Sequence, residues 1–251
     1  MADVAWPTPV ILDEVDSTNR VLAERPDAPE GTSVIAELQT SGRGRLGRQW
    51  ESPWGSGVWM SVLVHPTDQA RSDWAALPLI AALAVRDALE SACDLRVGLK
   101  WPNDLVVNAD EVRKLGGILV EVVGPDSVVI GMGTNMSLSR EELPTPTATS
   151  VLLEGGNADR EAFIAAALQA LSLRMAQWRA DGFPRAAYLE ACLTVGRPVR
   201  VDLPDGSVLE GLATGITDDG QLIVTREREL NETREREQVI VAAGDVIHAT
   251  I

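Results

Sequence analysis

The segment KLGGILVEVVGPDSVVIGMGTNM, residues 114–136, constrains the fold of this chain more than any other stretch. Two apolar runs are joined by Gly124, Pro125 and Asp126, a turn-forming trio, so the segment predicts an antiparallel hairpin. Upstream, SVIAELQT (33–40) and VWMSVLV (58–64) read as strands, and LRVGLKW (95–101) alternates as another.

Helical spacing alternates with these strands. Trp74, Leu77, Ile80, Ala81, Ala84, Val85 and Leu89 recur as one helix stripe, with Pro78 placed to kink it or delay its start. Ile164, Ala167, Leu168, Leu171, Met175 and Trp178 form a second stripe that Gly182 and Pro184 end; this stripe reads as core. DEVDSTNRVLAER (13–25) starts a third helix, with Ser17 or Thr18 able to cap it and Val21 and Leu22 facing inward. Residues 1–195 therefore read as mixed α and β structure.

From residue 196 the pattern changes to short strands separated by Asp-Gly turns, PDGS and TDDGQ, in about 55 residues, which predicts a small barrel. Two domains follow, residues 1–195 and 196–251. Residues 226–238, RERELNETREREQ, alternate in charge and predict a solvated hairpin or loop without chemistry of its own.

Composition removes several classes of function. No apolar run approaches the ~20 residues of a membrane helix, and the N-terminus lacks the basic-then-apolar order of a signal peptide; a cytoplasmic protein is expected. Cys93 and Cys192 stand far apart with no CxxC pattern, which suggests buried thiols, neither a zinc site nor a disulfide. The glycosylation-like triplets at Asn135 and Asn231 read as chance. A formal net charge of −15 argues against a nucleic-acid or anionic-membrane surface over most of the molecule.

Against that acidic background QTSGRGRLGRQW (39–50) concentrates Arg43, Arg45 and Arg48 among glycines. Glycine lets backbone approach a ligand, and arginine presents a planar fork of donors to phosphate or carboxylate, so the loop reads as an anion clamp. Taken alone it is equally a solvated loop. Its mutually repelling arginines predict a segment that orders on binding an anion. Of 22 basic residues only Lys100 and Lys114 are lysine, compact ammonium groups set in KWPND and RKLGGILVE.

DSTN (16–19), the Gly/Arg loop, GLKWPND (98–104), RKLGGILVE (113–121) and IGMGTN (130–135), in this order and with AGDVIHATI (243–251) at the end, together resemble the biotin protein ligases. The resemblance covers nearly the whole chain. It implies an α+β fold: a mixed sheet with helices, like the catalytic domain of class II aminoacyl-tRNA synthetases and biotin ligases, plus a small C-terminal SH3-like β-barrel. It also implies that biotin and ATP form biotinoyl-5′-AMP, with Mg2+ as cofactor. The biotinoyl group then passes to a lysine of a biotin carboxyl carrier domain. Lipoate or octanoate ligases and transferases share the fold and form the alternative; a non-catalytic binding module is a second one.

Position by position, the resemblance assigns Lys100 and Arg45 to catalysis. It assigns Ser17, Thr18, Asn19, Gln39, Gly42, Arg43, Lys100, Gly117, Gly131 and Gly133 to biotin, and Arg43, Arg45, Arg48, Trp50, Asn103, Lys114 and Asn135 to ATP and the adenylate. Helix capping also accounts for Ser17 and Thr18, and a buried core position for Trp50. NADEVR before Lys114 is longer and more acidic than the family's connection and puts the approach of Lys114 in question. Only about 15 residues precede DSTN, fewer than a helix-turn-helix requires, so no specific DNA partner is expected; no membrane partner is expected, and monomer and homodimer both stay open.

Overall fold

The computed structural model describes residues 6–50, 53–108, 111–230 and 233–248. Asn231 and Glu232 of the second glycosylation-like triplet, and the two ends of the chain, lie outside them. The expected hairpin is present: β6 (Val112–Val122) and β7 (Val128–Asn135) run antiparallel, with Val122 opposite Val128 across the Gly-Pro-Asp turn. Around it a seven-stranded sheet forms in the order β1-β2-β3-β7-β6-β5-β4, from β1 (Val10–Val15), β2 (Ser33–Gln39), β3 (Gly57–Val64), β4 (Gly98–Lys100) and β5 (Asp104–Asn108). All neighbours are antiparallel except β1 and β2. LRVGLKW contributes only Gly98–Lys100 to the ladder.

Every residue of β3 is buried, because the strand is covered on both faces. On one side lie α2 (Leu77–Cys93) and α3 (Arg160–Asp181), whose stripes pack on each other and on the sheet. Each fully buried Leu or Ile there, Leu77 and Ile80 among them, stabilises the fold by roughly 1.5–3 kcal/mol. On the other side the short α1 (Thr18–Ala23) inserts Leu22 between Val34, Leu63 and Val129. Pro78 delays α2: a 3-10 turn covers Arg71–Ala76, and the proline sits in the first helical turn, where its missing N–H is harmless.

The C-terminal segment is a five-stranded antiparallel sheet in the order β11-β10-β9-β8-β12, from β8 (Pro198–Asp202), β9 (Val208–Ile216), β10 (Leu222–Leu230), β11 (Thr233–Val241) and β12 (Asp245–His248). Its two Asp-Gly turns place Gly206 at φ 82° and Gly220 at φ 87°, a left-handed geometry that favours glycine. Of the charged stretch, residues 226–230 and 233–238 belong to the paired strands β10 and β11, where Arg226 opposes Glu237 and Glu227 opposes Arg236. After α3 the short helix α4 (Arg185–Ala191) leads into this sheet. Val199, Val201, Leu209 and Ala213 share one continuous core with α2 and α3, and Trp101 Nε1 donates to Gly220 O at 3.0 Å.

Candidate active site

A cleft of about 790 Å3, open mouth included, lies over the middle of the large sheet between α1, the Gly/Arg loop, β6, β7 and the Gly244–Asp245 turn. Four of the sequence motifs meet here, as does the start of the fifth: Ser17, Thr18, Asn19, Gln39, Arg43, Arg45, Arg48, Trp50, Asn103, Lys114, Gly117, Gly131 and Gly133 all line it.

At one end the lining is polar and buried. Ser17 occupies the N-cap of α1, yet its side chain makes no capping hydrogen bond, contrary to the capping expectation. Thr18 instead donates its backbone N–H to Gln39 Oε1 at 2.9 Å, and its hydroxyl stands 3.1 Å from the same oxygen. Gln39 is 21 residues away on β2, so the helix start is tied by tertiary contact. Asn19 donates to Glu121 Oε2 at 2.7 Å, and Ser61 Oγ lies 2.6 Å from Asn19 Oδ1 and 2.7 Å from Thr18 Oγ1. Gly131 leaves room for this arrangement: a Cβ there would stand 2.2 Å from Asn19 Oδ1.

The Gly/Arg loop is folded on itself, with Gly44 N donating to Arg48 O at 2.7 Å and Trp50 N to Gly42 O at 2.8 Å around a 3-10 turn at Arg45–Gly47. Its arginines do not simply repel one another. Arg43 pairs with Glu121 at 3.2 Å, Arg45 donates to Asn103 Oδ1 at 3.2 Å and Gly244 O at 3.4 Å, and Arg48 pairs with Asp245. Burial lowers the pKa of the Arg45 guanidinium from its ordinary value, and the nearby Asp245 and Asp104 partly offset this.

The other end is aromatic and cationic. Trp50 meets Trp59 edge-on, with centroids 6.2 Å apart, and Lys114 Nζ stands 5.2 Å from the Trp50 ring centroid. Lys114 Nζ also pairs with Asp104 at 2.6 Å. Its approach to the cleft follows from an irregularity in the β5–β6 ladder, where Leu105 faces Gly116 but Val106 faces Lys114; such bulges re-aim side chains. Gly117 and Gly133 keep the floor low beneath the Trp50 indole.

Three expected residues do not line the cleft. Gly42 is buried in the loop and supplies a backbone carbonyl to Trp50. Asn135 is buried at the end of β7 and donates to Thr149 O at 2.9 Å, bracing the segment whose Thr149 N bonds Lys114 O. Lys100 sits one strand over, opposite Asp104 in the β4–β5 ladder; burial lowers its pKa, with Asp104 raising it and Lys114 lowering it further. Lys114 lines the cleft directly, whereas Lys100 stands behind Asp104, close enough to feel Asp104, Lys114, Asp245 and Arg48.

Several lining or supporting residues were not singled out from sequence: Asp104, Glu121, Ser61, Trp59, Met60, Ile118, Leu119, Met132, Gln49 and Asp245. Asp104 and Glu121 are the last letters of KWPND and KLGGILVE, and Ser61 is a lone hydroxyl in an otherwise apolar buried strand. Those were the available signals. Both thiols are buried, and burial pushes Cys93 up to about 11 and raises Cys192 as well. Among the described residues no group of three or more His, Cys, Asp or Glu could hold a metal, and no helix is long and apolar enough to cross a membrane.

Comparison with known proteins agrees with this layout. Residues 12–135 match the biotin/lipoate A/B protein ligase family, and residues 194–249 the biotin protein ligase C-terminal domain. The chain is 38% identical to the biotin–[acetyl-CoA-carboxylase] ligase of Mycobacterium tuberculosis, over 98% of this chain and 91% of that protein. It superposes on the biotin protein ligase of Aquifex aeolicus in complex with biotin and ATP with a TM-score of 0.80 at 26% identity, covering 97% of this chain and 100% of the other. For the Leishmania major ligase in complex with biotinyl-5-AMP the TM-score is 0.63 at 26% identity, covering 93% and 99%.

Proposed function

The chain belongs to the biotin protein ligases, within the biotin/lipoate A/B protein ligase family, and from that premise we propose how its cleft works as an ATP-dependent biotin–[acetyl-CoA-carboxylase] ligase. In the first step a biotin carboxylate oxygen bonds to the α-phosphorus of ATP and pyrophosphate leaves. In the second the amine of a carrier lysine attacks the mixed anhydride carbonyl, an amide forms and AMP leaves. The observation that carries the reading is one cleft with a buried polar end and a cation-lined aromatic end.

The biotin head has ureido N–H donors and one carbonyl acceptor in an otherwise apolar body, which suits the Ser17, Thr18, Asn19 and Gln39 end over Gly131. Adenine suits the Trp50 face, with Gly117 and Gly133 allowing close approach and Asn103 and the braced Asn135 segment beside it. Between them Arg45, Arg48 and Lys114 offset the repulsion of carboxylate and phosphates, with Lys100 adding charge from behind Asp104 and Arg43 closing over the biotin side. Every one of those cleft cations already has a protein partner, so incoming phosphates exchange one anionic or carbonyl partner for another and the guanidiniums are held near their working positions.

Magnesium would neutralise the triphosphate. The chemistry of the cleft fits an ion that arrives on ATP and touches Asp104, since such ions keep their waters and use one or two carboxylates. The division into a catalytic part, residues 1–195, and a C-terminal part, 196–251, is supported by the change of strand pattern and by the Gly244–Asp245 turn, through which the second part reaches back to Arg45 and Arg48. A reaction that consumes ATP fits the cytoplasm. The net charge of −15 fits no specific DNA partner.

The direct test is transfer: with ATP, Mg2+ and labelled biotin, the protein should label a biotin carboxyl carrier domain at its acceptor lysine, and a carrier with that lysine changed to arginine should stay unlabelled. Label appearing equally on both carriers would contradict the second step.

A further inference from the structure

Lys114 stands where two ladders give out. On the β5 side a bulge leaves Leu115 unpaired, with Val106 opposite Lys114 and Leu105 opposite Gly116. On the other side the β6–β7 pairing begins only at Gly116, opposite Thr134, so β7 does not reach Lys114. A loop segment takes that place. Lys114 N donates to Thr147 O at 2.7 Å, Thr149 N donates to Lys114 O at 2.9 Å, and Ala148 forms a parallel bridge with Lys114. Both backbone polar groups of Lys114 are thus taken up by residues 147–149, which matters because the ladder is disrupted at the bulge.

Residues 147–149 belong to none of the twelve strands, so side-chain anchors fix their position. Asn135 is one anchor, donating to Thr149 O. Glu154 is the other, with a side chain only 10% exposed. One of its carboxylate oxygens accepts from the Thr149 hydroxyl, and both lie 3.0 Å from Arg113 Nη2. Arg113 precedes Lys114 on β6, and successive strand residues point to opposite faces: Lys114 enters the cleft and Arg113 turns away from it. Among the described residues Arg113 Nε is buried without a hydrogen-bond partner, so the hold on this guanidinium comes through Nη2 and Glu154. Glu154 itself does not line the cleft; it ties the loop segment to β6 from the side away from the substrates.

We infer that Glu154 is a positioning residue for Lys114: by joining Thr149 to Arg113 it clamps the start of β6 between β5 and residues 147–149, and so keeps the Lys114 ammonium beside Asp104 and the Trp50 ring. The inference rests on the reading of Lys114 as a phosphate-facing cation and extends it to a residue outside the cleft. An ammonium is a point charge on a flexible stem, and a displacement of about 1 Å caused far from the chemistry can cost a large part of its effect. The polar end of the cleft, built from α1, Gln39 and Gly131, stands apart from this clamp. Glu154 therefore serves the rate of adenylation and leaves the capture of biotin alone.

Glu154→Ala tests this. The kcat for biotin-dependent ATP–pyrophosphate exchange should fall about tenfold or more, with KM for biotin within about threefold of wild type. Thr149→Val, which removes the hydroxyl and changes no charge, should act in the same direction. Glu154→Gln should stay within about threefold of wild type, because its carbonyl accepts from Arg113 while its NH2 donates to the Thr149 hydroxyl. A double-mutant cycle separates positioning from general support of the fold: in a Lys114→Ala background, Glu154→Ala should cost no more than about twofold further.

Thermal melting of each variant establishes folding, and Thr149→Val carries the same cycle should Glu154→Ala fail to fold. Wild-type kcat in a folded Glu154→Ala or Thr149→Val protein overturns the proposal. So does an equal loss in the wild-type and Lys114→Ala backgrounds, or a Glu154→Gln protein as slow as Glu154→Ala. Absence of exchange in the wild type would overturn the ligase reading itself, and normal exchange in Lys114→Ala the role of that lysine; either takes the proposal with it.

Discussion

Gly131 and Gly133 lie two residues apart on β7, on the same face, yet each supports a different end of the cleft, so alanine at the two positions should separate the two substrates. At Gly131 the added Cβ would stand 2.2 Å from Asn19 Oδ1, and Asn19 would have to retreat by about 1.2 Å to reach ordinary contact. Asn19 is 4% exposed and tied to Glu121 and Ser61 at 2.7 and 2.6 Å, so the retreat breaks or stretches both bonds. Overpacking of this kind costs about 1–3 kcal/mol, which predicts a rise in biotin KM of roughly 5- to 150-fold with little change for ATP.

At Gly133 the Cβ meets Trp50 Cε2 and Nε1 at 3.0 Å, and the indole needs to move by only about 0.4 Å. Gly133→Ala should therefore raise ATP KM by a few-fold at most and leave biotin KM near wild type, as a cost below about 1 kcal/mol implies. Pyrophosphate exchange measured against each substrate in turn gives both constants for both variants. A Gly131→Ala protein with normal biotin KM, or two variants that affect the same substrate, would refute the placement of biotin at the α1 end and adenine at the Trp50 end.

Lys114→Ala should slow adenylation by roughly 10²–10³-fold, the loss typical of one preorganised electrostatic donor, and arginine should rescue it poorly; Lys100→Ala should depress both half-reactions with little change in biotin affinity. A folded Lys114→Ala protein with wild-type exchange would remove that residue from the mechanism. Cys93→Ser/Cys192→Ser should transfer biotin nearly normally apart from packing loss, since both thiols are buried with raised pKa values, and abolished transfer in the folded double variant would point to a thiol intermediate. His248 is held neutral: burial, then Lys100 and Arg197, push it down to about 4, whereas the unfolded chain takes up the proton near 6.5. Stability should then fall as pH drops from about 6.5 toward 4, by up to about 3 kcal/mol, and His248→Gln should flatten that part of the melting profile; parallel profiles would contradict it.

The elements with strong periodicity were legible in the amino-acid sequence. The β6–β7 hairpin, the α2 and α3 stripes and the Asp-Gly turns all formed where spacing and turn residues implied. What escaped depends on partners distant in the chain. Ser17 and Thr18 carry a capping signature, but Gln39 takes the Thr18 N–H and no cap forms. The loop arginines look mutually repulsive in isolation, yet Arg45 finds Asn103 at a separation of 58 residues and Arg48 finds Asp245 at 197. Lys100 and Lys114 are equivalent as isolated ammonium groups; a ladder irregularity at Val106 brings the second into the cleft, and no local pattern announces it.

Biotin-dependent ATP–pyrophosphate exchange by the purified protein, run in parallel with biotin, lipoate and octanoate, tests the central claim most directly. The account predicts exchange with biotin and rates near background with the other two acids. Equal or faster exchange with lipoate or octanoate, or none with biotin, would contradict it.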